Sequence, residues 1–95
     1  MEATLALDNT GTIDGTIRAG DDDDIIINAG LLEGDVNFYD GADRLVNTGD
    51  ILGDVDFDDG TATITNTGTL TGDLSTGDGG TTLPNSGTIT GNLNT

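Results

Sequence analysis

Asn47-Thr48-Gly49-Asp50-Ile51-Leu52-Gly53-Asp54-Val55 reads as Asn-x-Gly-x-Φ-x-Gly-x-Φ, with Φ apolar. The same pattern starts at Asn9, Asn28, Asn66 and Asn85, giving five copies spaced 19 residues apart without insertion or deletion. A unit this short cannot bury an apolar face alone, so each copy reads as one coil of a stack. Slots are numbered from each Asn as slot 1. Slot 5 then holds Ile13, Leu32, Ile51, Leu70 and Ile89, and slot 9 holds Ile17, Val36, Val55, Leu74 and Leu93. Slot 18 holds Leu7, Ile26, Leu45, Ile64 and Leu83.

Alternation around these slots assigns the strands. Slots 4–6, 8–10 and 17–19 each read x-Φ-x, and period two turns Φ inward and its neighbours outward. The expectation is an all-β fold, a right-handed parallel β-helix (β-solenoid) of five 19-residue coils with three short strands per coil. It forms a single domain over residues 1–95. Gly at slots 3 and 7 falls between strands, where a tight turn calls for φ > 0. Phe38 and Phe57 share slot 11 and are expected to stack at an inner corner. Pro84 removes one backbone donor and should leave a gap in the ladder. Asn9, Asn28, Asn47, Asn66 and Asn85 form an expected internal amide ladder, each donating to one neighbour and accepting from the other.

Composition bounds the function. The net charge of −16 with only Arg18 and Arg44 as cations excludes a phosphate-binding surface, so no nucleic-acid partner is expected. No apolar run approaches the ~20 residues of a membrane span. The first ten residues lack the basic and apolar regions of a secretory leader. Cys and His are absent, which removes disulfides and thiolate sites. Paired carboxylates can serve acid–base catalysis, but a repeated row lacks the asymmetry that separates two pKa values. The chain therefore reads as no enzyme, and a small-molecule ligand is not expected.

Ten of the 18 acids occupy slots 12–16, among them Asp21, Asp22, Asp24, Asp40, Asp43, Asp59 and Asp78. A second row at slot 8 holds Asp35, Asp54 and Asp73. Unit charges stacked ~4.8 Å apart repel by about 1 kcal/mol in water and by roughly 3–4 kcal/mol at an effective dielectric of 20. A hard cation taking 6–8 oxygens would relieve this.

The stretch from Gly41 to Val55, Gly-Ala-Asp-Arg-Leu-Val-Asn-Thr-Gly-Asp-Ile-Leu-Gly-Asp-Val, resembles the 19-residue repeat of calcium-binding RTX-type β-helices in giant bacterial adhesins. It is also similar to Asn-Thr-Gly-Thr-Ile repeats of autotransporter passenger domains and related bacterial surface proteins. The resemblance covers the whole chain and implies Ca2+ as ligand and an extracellular or bacterial cell-surface location. The RTX pattern carries Gly at slots 12 and 14 and Asp at slot 16. Slot 16 here is Asp only at Asp24 and Asp43, so the best calcium site is expected between the arcs 20–24 and 39–43. Asp21, Asp22, Asp24, Asp40, Asp43, Asp59 and Asp78 are the candidate ligands. The alternative for the acidic edge is a solvated surface that keeps a fibre soluble.

The chain spans five whole repeats with ends in phase, and no cap is evident in its sequence. The first functional expectation is a self-assembling fibre subunit, its partner another copy of itself joined head to tail as a homopolymer. The alternative is a spacer, stalk or binding module of a larger adhesin or autotransporter, and an engineered solenoid is a further possibility. Thr rows on flat solenoids can bind ice, but Leu31, Glu33, Asp50 and Leu52 interrupt the rows here. Leu31 and Leu52 are expected to point outward as a small contact patch.

Overall fold

The fold was analysed in a computed structural model, which describes residues 5–58, 60–77 and 79–94. Three parallel sheets wind around one axis. The first contains β1 (Ala6–Asn9), β4 (Ile25–Asn28), β7 (Ala42–Asn47), β10 (Thr61–Asn66) and β13 (Thr81–Thr82), in that spatial order. The second contains β2 (Thr12–Asp14), β5 (Leu31–Glu33), β8 (Asp50–Ile51), β11 (Thr69–Leu70) and β14 (Thr88–Ile89). The third contains β3 (Ile17–Arg18), β6 (Val36–Asn37), β9 (Val55–Asp56), β12 (Leu74–Ser75) and β15 (Leu93–Asn94). Every pairing is offset by 19 residues, as in Asn28↔Asn47 and Leu32↔Ile51. The molecule is a β-solenoid of about five turns, as the repeat spacing requires.

The core is a column of stacked apolar residues. Leu32, Ile51 and Leu70 of slot 5, Val36, Val55 and Leu74 of slot 9, and Ile26, Leu45 and Ile64 of slot 18 are all buried. Each such side chain contributes roughly 1.5–3 kcal/mol on leaving water. Phe38 and Phe57 stack with ring centroids 4.2 Å apart and planes 10° from parallel. The corresponding residues of the end coils are less covered: Leu7, Ile13, Ile17, Leu83 and Ile89 are half-buried and Leu93 is exposed.

The first sheet is longer than the x-Φ-x triplet. In β7 and β10 the alternation runs back to slot 16 and forward to slot 1, so Asp43, Leu45 and Asn47 all point inward. Pro84 has the expected effect. β13 stops at Thr82, and pairing resumes only as the isolated bridge Asn66↔Asn85.

The glycines correct one expectation. No slot 3 glycine has positive φ. Their role is close approach: a Cβ on Gly49 would strike the carbonyl oxygen of Gly30, and one on Gly68 that of Gly49. Positive φ falls instead at slot 7 in Gly15 and Gly34 and, more consistently, at slot 12. There it occurs in Gly20 (103°), Tyr39 (62°), Asp58 (46°) and Gly77 (63°), whether or not the residue is glycine. The turn geometry is imposed by the stacking, and two L-residues carry its cost of about 1–2 kcal/mol each.

Candidate functional site

Two internal polar ladders and one external acid ladder carry the chemistry of this chain. The amide ladder runs through slot 1. Nδ2 of Asn9 donates to Oδ1 of Asn28 at 2.8 Å, Asn28 to Asn47 at 3.0 Å, Asn47 to Asn66 at 2.8 Å and Asn66 to Asn85 at 2.8 Å. Each amide also donates to a slot 4 carbonyl of the next coil: Asn28 to Asp50 O and Asn47 to Thr69 O, both at 3.0 Å. Asn28, Asn47 and Asn66 are fully buried, and full pairing is what makes a buried primary amide tolerable. Slot 1 lies at the end of the first sheet, where strand alternation turns its side chain inward.

The same alternation places slot 16 inside, and this changes the reading of the acidic arc. Asp24 is fully buried and Asp43 is 2% exposed. Oδ1 of Asp24 accepts the Leu5 N–H at 2.8 Å, and Oδ1 of Asp43 accepts the Asp24 N–H at 2.9 Å. Oδ2 of each is buried with no hydrogen-bond partner. Burial, with the lesser effect of the Asp24 and Asp23 charges, pushes the Asp43 carboxyl up to about 7 against the lowering effect of the Asp24 N–H. Below that pH, Asp43 is held as a neutral acid beside Asp24.

The other candidate calcium ligands do not join this pair. Asp21 and Asp40 are exposed and Asp22 is half-buried. Asp59 and Asp78 lie outside the described residues. Among the described residues, no three acidic groups come together as a metal cage. Calcium takes 6–8 oxygens, and the interior pair supplies two unpartnered ones. Of the expected ligands between arcs 20–24 and 39–43, Asp24 and Asp43 turn inward, while Asp21, Asp22 and Asp40 remain on the turn side. The physical reason is the direction of slot 16, which the strand turns toward the core while slots 12–14 stay in the turn. The sequence carried a signal for this: slot 16 is apolar at Leu5 and Ala62, as an inward position would be.

The external acids are paired with backbone. Oδ1 of Asp35 accepts the Asp54 N–H at 2.9 Å, Asp54 accepts the Asp73 N–H at 2.8 Å, and Asp73 accepts the Asn92 N–H at 2.9 Å. Asp23 likewise accepts the Ala42 N–H at 2.7 Å. These charge-assisted bonds are each worth roughly 1.5–3 kcal/mol. They offset the ~1 kcal/mol repulsion between exposed neighbours in water, so the slot 8 row is a structural clasp between coils.

Two surface features complete the inventory. Leu52 is exposed and Leu31 only half-buried. Ile25 (40% exposed) and Ile27 (39%) face outward on β4. The described residues form no ligand-sized pocket.

No family model, no curated protein and no solved structure matches this chain. The likeness to RTX-type and autotransporter repeats therefore stands on the repeat motif alone.

Proposed function

We propose that this chain is a structural solenoid unit that stacks end to end on copies of itself. One observation supports the reading above others: both end coils present the same incompletely covered apolar column in matching register. Leu83, Ile89 and Leu93 at one end correspond to Leu7, Ile13 and Ile17 at the other, slot for slot. The amide ladder has the same polarity. Asn85 accepts from Asn66, which leaves its Nδ2 positioned to donate to Oδ1 of Asn9 in the next copy. Such a heterologous contact does not close and yields filaments. Backbone ladders would bind the copies together, as they bind coils within one chain.

A second reading has the same physical basis. If these coils belong to a longer surface protein, the end faces would be covered by further coils of that protein, and the unit would serve as a stalk or spacer.

Gly11→Ala separates the two. Nothing lies within 4 Å of a Cβ at Gly11, so the variant should fold as the wild type does. In a stacked filament that Cβ would strike the slot 3 carbonyl of Gly87 from the preceding copy. The expected outcome is unbranched fibres of wild type in electron micrographs and none of the variant. Wild-type protein that stays monomeric at high concentration and neutral pH rejects the filament reading in favour of the stalk.

A further inference from the structure

The outer face of the first sheet differs from the other two. Its outward columns are slot 17 (Ala6, Ile25, Arg44, Thr63, Thr82) and slot 19 (Asp8, Ile27, Val46, Thr65, Pro84). With slot 15 (Asp23, Ala42, Thr61), which β7 and β10 also turn outward, they hold two carboxylates and one guanidinium, a small excess in a chain of net charge −16. The second sheet turns Asp14, Glu33 and Asp50 outward, and the third carries Asp35, Asp54, Asp56 and Asp73 beside a single cation, Arg18. Two copies laid together on their first sheets oppose fewer like charges than on either other face.

Between Asp8 and Arg44 that face is apolar. Ile25 and Ile27 stand about 40% exposed, flanked by Ala6 on β1 and Val46 on β7. Strand propensity does not account for them. The same two columns use Thr63, Thr65 and Thr82 further along, and Thr serves a strand as well while facing water.

We infer that the outer face of β1, β4 and β7 is a self-complementary surface on which a second copy of this chain docks face to face. A twofold axis lying between the sheets, along β4, places Ile25 against Ile25 and Ile27 against Ile27 of the partner copy. The two solenoids then run antiparallel, and β7 of one lies over β1 of the other. Arg44 comes opposite Ala6 of the partner copy, one residue pair (about 7 Å along the strand) from its Asp8. An arginine side chain spans that offset across sheets packed ~10 Å apart, so each interface contains two Arg44–Asp8 pairs around an isoleucine centre. The same axis sets Asp23, whose Oδ1 accepts the Ala42 N–H, opposite Asp23 of the partner copy at the margin, one like-charge contact against the two Arg44–Asp8 pairs. Unlike end-to-end stacking, this isologous contact closes at a dimer.

The test uses the full chain carrying Leu93→Asp, an end-coil change that blocks longitudinal stacking and leaves the sheet face untouched. Sedimentation velocity should give a dimer for this protein. Arg44→Asp should shift it to monomer, and adding Asp8→Arg to the same chain should restore the dimer. Ile25→Thr with Ile27→Thr should also give a folded monomer by circular dichroism. A monomer before any face substitution, or a dimer indifferent to both the isoleucine and the charge changes, overturns the inference. Filament formation by the parent chain is read separately, so either proposal can fail without the other.

Discussion

The Asp24 backbone N–H donates to Oδ1 of Asp43 across adjacent coils at 2.9 Å, while Oδ2 of both carboxyls stays buried without a partner. Among the described buried polar residues this pair alone is ionisable, so it responds to pH. Asp43 titrates near 7 when folded, against an ordinary value of 3.8. Between those values the folded chain keeps a proton that the unfolded chain has released. The stability gained from the neutral form is complete below about pH 4 and is lost as pH rises through about 7. Each unit of the window is worth about 1.4 kcal/mol. Urea denaturation should show stability falling by a few kcal/mol from about pH 4 to pH 8. Asp43→Asn, whose amide can donate to Asp24 Oδ2, should be more stable than wild type at pH 8 and close to it at pH 4. A constant difference between the two proteins across this range would remove the pair from the account.

The amide ladder should be costly to interrupt at its centre. Asn47→Ala removes the acceptor of Asn28 and the donor to both Asn66 and Thr69 O. Unsatisfied buried polar groups cost ~1–3 kcal/mol each, so a loss on the order of 3 kcal/mol is expected in chemical denaturation. Asn85→Ala, in the exposed end coil, should cost under about 1 kcal/mol. Equal losses at the two sites would mean that burial does not set the worth of the ladder.

Slot 3 glycine should matter only where a coil lies beneath it. A Cβ at Gly49 would strike Gly30 O, whereas one at Gly11 meets nothing. Gly49→Ala should therefore cost on the order of 3 kcal/mol or more, because backbone must move. Gly11→Ala should change monomer stability by less than about 1 kcal/mol. The comparison is read from thermal melts at a concentration too low for assembly.

The apolar column predicts a gradient from middle to end. Ile51 is fully buried and Ile89, in the same slot, is half-buried. Ile51→Ala should cost ~2–5 kcal/mol, and Ile89→Ala less than half as much in the monomer. If filaments form, Ile89→Ala should approach the cost of Ile51→Ala under assembling conditions, since the next copy would bury it.

Most of the architecture was legible in the spacing of like residues. Asn28 above Asn47 and Leu32 above Ile51 follow from a 19-residue period alone, as does the contact between Phe38 and Phe57. The candidate site was less legible. Sequence adjacency groups Asp24 and Asp43 with Asp21, Asp22 and Asp40, yet the strand turns them to the opposite side. Leu31 and Leu52 lie on outward slots as the alternation predicts, whereas the run of three isoleucines (Ile25 to Ile27) conceals from the sequence which of them face the core.

The sequence by itself determined the number of coils, the register and the identity of the stacked columns, because a strict repeat leaves only one way to superpose chemically alike side chains. Tertiary structure decided where the turns end and the strands begin. That boundary fixed the inward direction of Asp43, the left-handed backbone at Tyr39 and Asp58, and the outward isoleucines of the first sheet. These properties depend on how one coil's backbone rests on the next, a contact between residues 19 positions apart that no local pattern encodes.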